Sequence, residues 1–109
     1  MNARRYSVYV VELSDSAGPR RDLRYPNVYV GSTAKTPEQR FADHKAGGRT
    51  SSPKVRGFGV RLMPELYEHL NHFETREAAE NAERSLAGDL RRRGYNAHGG
   101  QGMPVIIGR

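Results

Sequence analysis

Val28-Tyr-Val-Gly-Ser-Thr-Ala-Lys-Thr-Pro-Glu-Gln-Arg-Phe-Ala-Asp-His44 decides how this chain is read. Its first residues are β-branched and aromatic, the composition of a short strand, and residues 27–31 are expected to form one. A turn follows, and Thr36 then begins a helix by three rules that agree. Threonine is a favoured N-cap, Pro37 suits the first helical position, and Gln39 completes a capping box with Thr36. Such a cap contributes about 1 kcal/mol and fixes where the helix starts. Gly47 and Gly48 end it. Three chemical groups fall in the stretch: Tyr29 on the strand, with Arg40 and His44 four positions apart on one helix face. A phenol, a guanidinium and an imidazole so close in sequence point to a site that handles phosphate.

Toward the N-terminus, residues 6–13 (YSVYVVEL) are rich in β-branched and aromatic residues, with apolar side chains on both faces. They predict a strand covered at least in part on each side, hairpin-paired with residues 27–31 across the polar loop 14–26. Toward the C-terminus, residues 45–61 carry Lys45, Arg49, Lys54, Arg56 and Arg61 and no acidic residue. This segment reads as a mobile cationic loop, either a solvated surface loop or a clamp on a sugar-phosphate backbone. Residues 65–73 (ELYEHLNHF) are ambiguous between strand and helix. They are expected to be the third strand because Pro64 precedes them and the next helix start, Thr75, comes only afterwards.

That helix is predicted to run to about Arg93 and to stop at Gly94, with Ala79, Ala82, Leu86 and Leu90 as its apolar stripe. Arg91, Arg92 and Arg93 fall in its last turn, where cations suit the helix dipole, so they count only weakly toward nucleic acid. Glu83 lies beside the apolar stripe, four residues after Ala79 and seven before Leu90. Burying a carboxylate costs several kcal/mol unless it is paired or binds a metal. From the helix alone, Glu83 reads as an edge residue reaching water or an arginine, or as a carboxylate with a task. The Gly-rich tail, residues 97–109, holds a short apolar run that can dock on the sheet.

Composition bounds the rest. The chain has 109 residues, and 18 lysines and arginines against 12 acidic residues give a net charge of +6 and a pI of about 10.1. This balance favours a polyanionic partner, and nucleic acid comes ahead of an anionic membrane because no basic amphipathic helix is evident. A mean hydropathy of −0.81 with no long apolar run argues against a membrane span, and the N-terminus lacks a signal-peptide core. The absence of cysteine excludes disulfides and thiolate-bound zinc. The expectation is one cytoplasmic domain with no internal repeat. His69, His72 and His98 show no metal-ligand spacing and are expected at the surface.

Five elements in order resemble the GIY-YIG nuclease domain: Tyr6-Ser-Val-Tyr-Val, Val28-Tyr-Val-Gly-Ser-Thr, Arg40-Phe-Ala-Asp-His44, Ala79-Glu-Asn-Ala-Glu83 and Gly94-Tyr-Asn96. The resemblance runs from about residue 6 to residue 96, which makes 6–96 the expected core. Ser7-Val8-Tyr9 stands where the family has its first triplet, with serine for glycine, and Tyr29-Val30-Gly31 stands for the second. The resemblance implies an α+β fold, with a small three-stranded antiparallel sheet flanked by helices. It also implies hydrolysis of nucleic-acid phosphodiesters with magnesium or manganese. Carried over by residue, Tyr9 and Tyr29 are the paired tyrosines and Arg40 the phosphate-binding arginine. His44 is the accessory histidine, Glu83 the metal ligand, and Asn96 the asparagine that some members place after the glutamate-bearing helix.

The chemistry suits these types. An attacking water needs a proton acceptor, and a phenol with a pKa near 10 must be lowered by a neighbouring cation or must work with His44 as a relay. Tyr29 is the first choice to face that water. A planar guanidinium matches the charge that develops on a phosphoryl group, and magnesium can be held by one carboxylate with waters and phosphate completing its shell. The expected activity is endonucleolytic cleavage of DNA, structure-specific and linked to repair or recombination, with the cationic segment or a protein partner supplying specificity. The alternative is a non-catalytic nucleic-acid-binding module that retains the fold.

Overall fold

A computed structural model of the chain describes residues 5–100. Its centre is a four-stranded sheet in the order β3-β1-β2-β4, with β1 spanning Ser7–Leu13, β2 Asn27–Thr33, β3 Gly59–Leu62 and β4 Asn96–Gly99. Helix α1 (Pro37–Ala46) and the short α2 (Pro53–Phe58) pack by β1 and β3, and α3 (Arg76–Arg93) packs on β2, β4 and β1. The fold is α+β, as expected.

β1 and β2 are antiparallel, with Tyr9 opposite Gly31, Val10 opposite Val30 and Val8 opposite Ser32. Alternation along a strand therefore puts Val8, Val10, Val28, Val30 and Ser32 on one face, and Tyr9, Val11, Tyr29 and Gly31 on the other. Val8, Val10, Val11, Val28 and Val30 are fully buried, which explains the near-continuous apolar composition of both strands: each face is covered. Leu86, Ala87 and Leu90 of α3 join this core, and Val55 carries α2 into it.

The helix boundaries follow the caps read from the sequence. Thr36 accepts from the Gln39 amide, and the Gln39 side chain accepts from the Thr36 amide, closing the capping box. Gly47 ends α1 in the left-handed conformation at φ 81°. Thr75 caps α3 through the Ala78 amide, and Gly94, at φ 111°, ends it.

The sheet differs from expectation in two strands. Residues 65–73 are not a strand: Pro64–Leu66 and Glu68–Leu70 are two 3₁₀ turns, joined to the sheet edge by a single bridge between Tyr6 and Phe73. The Asn71 side chain closes the adjacent edge by donating to the Val8 carbonyl and accepting from the Val8 amide. Leu66, Tyr67, Leu70 and Phe73 pack on the core from these turns, which satisfies their apolar character without a ladder. The third strand is Gly59–Leu62 instead, paired with β1 through Leu13, Glu12 and Val11. It overlaps the end of the segment expected to be a mobile loop, which also contains α2, capped by Ser52.

The fourth strand, β4, runs parallel to β2, with Asn27 opposite Asn96 and Val30 opposite Gly99, so the sheet is mixed and the core extends past residue 96. The apolar run at 105–107 lies outside the described residues. No helix among the described residues is long and apolar enough to cross a membrane.

Candidate active site

The site is built around Gly31 and Ser32, near the end of β2. Tyr9 comes from the paired position on β1 and lays its ring across Gly31. A Cβ at that glycine would sit 2.5 Å from the Tyr9 hydroxyl oxygen, so only a residue without a side chain leaves room for the phenol. Tyr29, two residues earlier on β2 and on the same face, leans across the next strand in the same way. A Cβ on Gly99, which has a φ of 72°, would meet the Tyr29 ring at 2.9 Å. The two rings lie 6.4 Å apart, centroid to centroid. Tyr9 is buried and Tyr29 is half-buried, so Tyr29 is the phenol with access to water.

α1 brings His44 and Arg40 to the same face. His44 is 1% exposed, and its Nε2 lies 2.9 Å from the Tyr9 hydroxyl. Its Nδ1 accepts the Ser52 main-chain N–H at 2.7 Å. Burial, reinforced by the Arg40 charge, pulls the His44 pKa down to about 4, so the ring is neutral near pH 7. Arg40 is half-buried, donates to the Thr50 carbonyl at 2.6 Å and to the Thr50 hydroxyl at 3.3 Å, and lines an open cleft of about 310 Å³ with Lys35, Thr50 and Ser51. A guanidinium held at one edge and open at the other can receive a phosphate oxygen.

Glu83 arrives from the opposite face of the sheet. It is 9% exposed on α3, and its Oε1 accepts from the Ser32 hydroxyl at 2.7 Å. Burial raises its pKa, and the Ser32 hydrogen bond partly offsets the shift. No arginine or lysine pairs with it among the described residues, so the salt bridge to an arginine that its edge reading allowed is not formed. The phenols respond to this arrangement. Burial raises the pKa of Tyr9, and the neighbouring Tyr29 raises it further; burial raises that of Tyr29, which the Ser52 side chain partly offsets. In both phenols the Glu83 charge adds to the rise and Arg40 opposes it. The carboxylate and the guanidinium thus act on the same pair of hydroxyls.

Five of the six expected catalytic residues, Tyr9, Tyr29, Arg40, His44 and Glu83, are brought together. Asn96 is not. It pairs with Asn27, five positions before Ser32 and so about 17 Å away along the strand. Its amide donates to the Asn27 side chain at 2.9 Å and to the Pro19 carbonyl at 3.1 Å, bracing the 14–26 loop onto the sheet.

The five cations expected to bind nucleic acid divide as well. Lys45 donates to the Gly59 carbonyl and Lys54 to the Ala17 carbonyl, while Arg61 is paired with both Glu12 and Glu65. Arg49 and Arg56 are exposed, and among the described residues their side chains make no hydrogen bond or ion pair.

Sequence reasoning did not single out Ser32, Ser52, Thr50 or Gly99. Only Ser52 had a legible signal, since serine before Pro53 is an N-cap followed by proline at the first helical position.

The donor set can be tested against a divalent cation. Among the described residues no three of His, Cys, Asp and Glu converge, so a site for a cation stripped of its water is not formed. Magnesium takes one or two carboxylates and keeps several waters, and a single buried Glu83 without a cationic partner fits that demand.

Compared with known families, residues 6–96 match the model of the GIY-YIG catalytic domain. No curated protein and no solved structure matches the chain.

Proposed function

The chain belongs to the GIY-YIG catalytic domain family, a nuclease-type module whose substrate is nucleic acid, and on that premise we propose that it is an endonuclease hydrolysing DNA phosphodiester bonds with magnesium at Glu83. What supports this reading is the common position of two phenols, an arginine and a buried carboxylate that has no cationic partner among the described residues, around Gly31 and Ser32. Arg40 takes the non-bridging oxygens of the scissile phosphate at the mouth of its cleft, and its planar fork matches the charge that develops there. Tyr29, the phenol open to water, accepts the proton of the attacking water. Tyr9, held by His44, completes the phosphate contact from beneath. Glu83 would hold the magnesium, which would supply positive charge to the phosphate and the leaving oxygen. Neutralising Glu83 also removes a contribution that raises both phenols, so substrate assembly favours the base form of Tyr29.

We assign specificity to DNA shape, to the exposed Arg49 and Arg56, or to a protein partner, and place the activity in repair or recombination of branched DNA. The deciding experiment is magnesium-dependent nicking of branched, flapped and linear DNA, with an RNA arm, by the parent chain and by Glu83→Gln and Arg40→Ala. Cleavage lost in both variants with DNA binding retained is the expected outcome. Equal cleavage by all three proteins would sink the mechanism. Salt-sensitive binding without cleavage under any metal would instead make the chain a binding module.

A further inference from the structure

The neighbours of His44 fix more than its position. A neutral imidazole carries one hydrogen, on either Nδ1 or Nε2. The group 2.7 Å from Nδ1 is the Ser52 main-chain N–H, which can only donate. That amide cannot turn over, because its residue caps α2. Ser52 presents an extended φ of −77°, its carbonyl accepts from the Arg56 amide at 2.9 Å, and its hydroxyl accepts from the Val55 amide. Nδ1 is therefore the acceptor and the ring hydrogen sits on Nε2, facing the Tyr9 hydroxyl oxygen at 2.9 Å.

We propose that the Ser52 amide locks His44 in its Nε2–H form, so that His44 is a hydrogen-bond donor to Tyr9 and not a proton relay, and the Tyr9 hydroxyl hydrogen is left to point into the site, onto an oxygen of the bound phosphodiester. The hydrogens of this chain all run one way: from the Ser52 amide to Nδ1, from Nε2 to the Tyr9 oxygen, and from Tyr9 outward. His44 cannot take a proton from Tyr9, because the nitrogen that faces the phenol already carries one. A second proton, on Nδ1, would point at the Ser52 N–H. The groups around the ring also oppose a positive charge on balance. Arg40 disfavours it from α1, Asp43 on the same helix offsets it only in part, and the Tyr9 and Tyr29 rings cover it at 6.0 and 5.9 Å. His44 and Ser52 are positioning residues in this scheme, and Tyr9 is the group that touches substrate. The last step rests on the nuclease reading above; the lock itself does not.

Two measurements test it on the full chain. Nitrogen-15 spectra of the histidine ring between pH 5 and 8 are expected to show the neutral Nε2–H form throughout. An Nδ1–H pattern, or protonation above pH 6, would overturn the lock. Ser52→Pro deletes the amide at a φ that proline adopts, whereas Ser52→Ala keeps it, and both lose the cap hydroxyl. The proline variant is expected to admit the Nδ1–H form and the alanine variant to exclude it; identical spectra would overturn the assignment.

Single-turnover cleavage then separates donor from relay. The amide of His44→Gln can donate to Tyr9 but cannot shuttle a proton, so its rate is expected within roughly 10-fold of the parent, with His44→Ala well below it. A relay would leave glutamine as slow as alanine, at a loss of roughly 10²–10⁴-fold, and that result refutes the proposal. A parent chain that cleaves nothing yet shows the Nε2–H ring would remove the nuclease reading and leave the lock supported.

Discussion

Replacing Gly31 by alanine tests whether the sheet pairing builds the site. The new Cβ would stand 2.5 Å from the Tyr9 oxygen and 2.6 Å from its Cζ, whereas carbon contacts settle near about 3.5–4.0 Å. One partner must therefore move by roughly 1 Å. Tyr9 cannot swing aside as an exposed side chain would, because it is 2% exposed and its hydroxyl is bonded to His44. Overpacking of this kind costs roughly 1–3 kcal/mol. Removing a glycine from a strand interior returns about 0.5–1 kcal/mol. The net expectation is a loss of about 1–2 kcal/mol in stability, read from urea unfolding. Activity should suffer more, because a 1 Å misplacement of a catalytic group costs on the order of 100-fold. DNA binding should persist, since Arg40, Arg49 and Arg56 are untouched. In a Tyr9→Leu background the clash is gone, so the stability cost of Gly31→Ala should largely disappear, a coupling that a double-mutant cycle measures. A Gly31→Ala protein with parental stability and cleavage, or the same cost in both backgrounds, would refute the reasoning.

Three further outcomes are expected. His44 has its pKa depressed from 6.5 to about 4 in the folded chain; the unfolded chain therefore takes up that proton first, and stability falls as the pH drops through this window. Urea unfolding from pH 7.5 to 4.5 should show this acid loss reduced by up to about 3 kcal/mol in His44→Gln, and equal losses in both proteins would rule the explanation out. Cleavage should rise about tenfold per pH unit from pH 7 to 9, because burial holds the Tyr29 phenol above its usual range; a flat profile would exclude Tyr29 as the base. Arg49→Ala and Arg56→Ala should each lower the salt slope of DNA binding by about one, as counterion release requires. Arg61→Ala should change it little, since Glu12 and Glu65 already neutralise that charge; anisotropy titrations at several salt concentrations would decide.

The sequence alone determined the elements whose signals are local. Thr36, Pro37 and Gln39 set the start of α1, Thr75 and Gly94 bound α3, and the apolar residues of 6–13 and 27–31 mark two covered strands. It also put Glu83 beside an apolar stripe and linked it, through the family resemblance, to Tyr9, Tyr29, Arg40 and His44. The caps, the strand compositions and the helix stripe rest on residues within a turn or two of one another, so backbone geometry alone carries that part of the information. Tertiary structure decided what depends on a partner distant in sequence. Gly59–Leu62 and Asn96–Gly99 hold glycines and polar residues and become strands only because β1 and β2 offer them unpaired edges. Residues 65–73 look like a strand but have no edge to join beyond the Tyr6–Phe73 bridge. Asn96 matched a family position, yet its pairing register carries it to the far end of β2. The Ser52 amide reached His44 only once α2 had folded against α1, and a main-chain donor has no side chain by which a sequence could announce it.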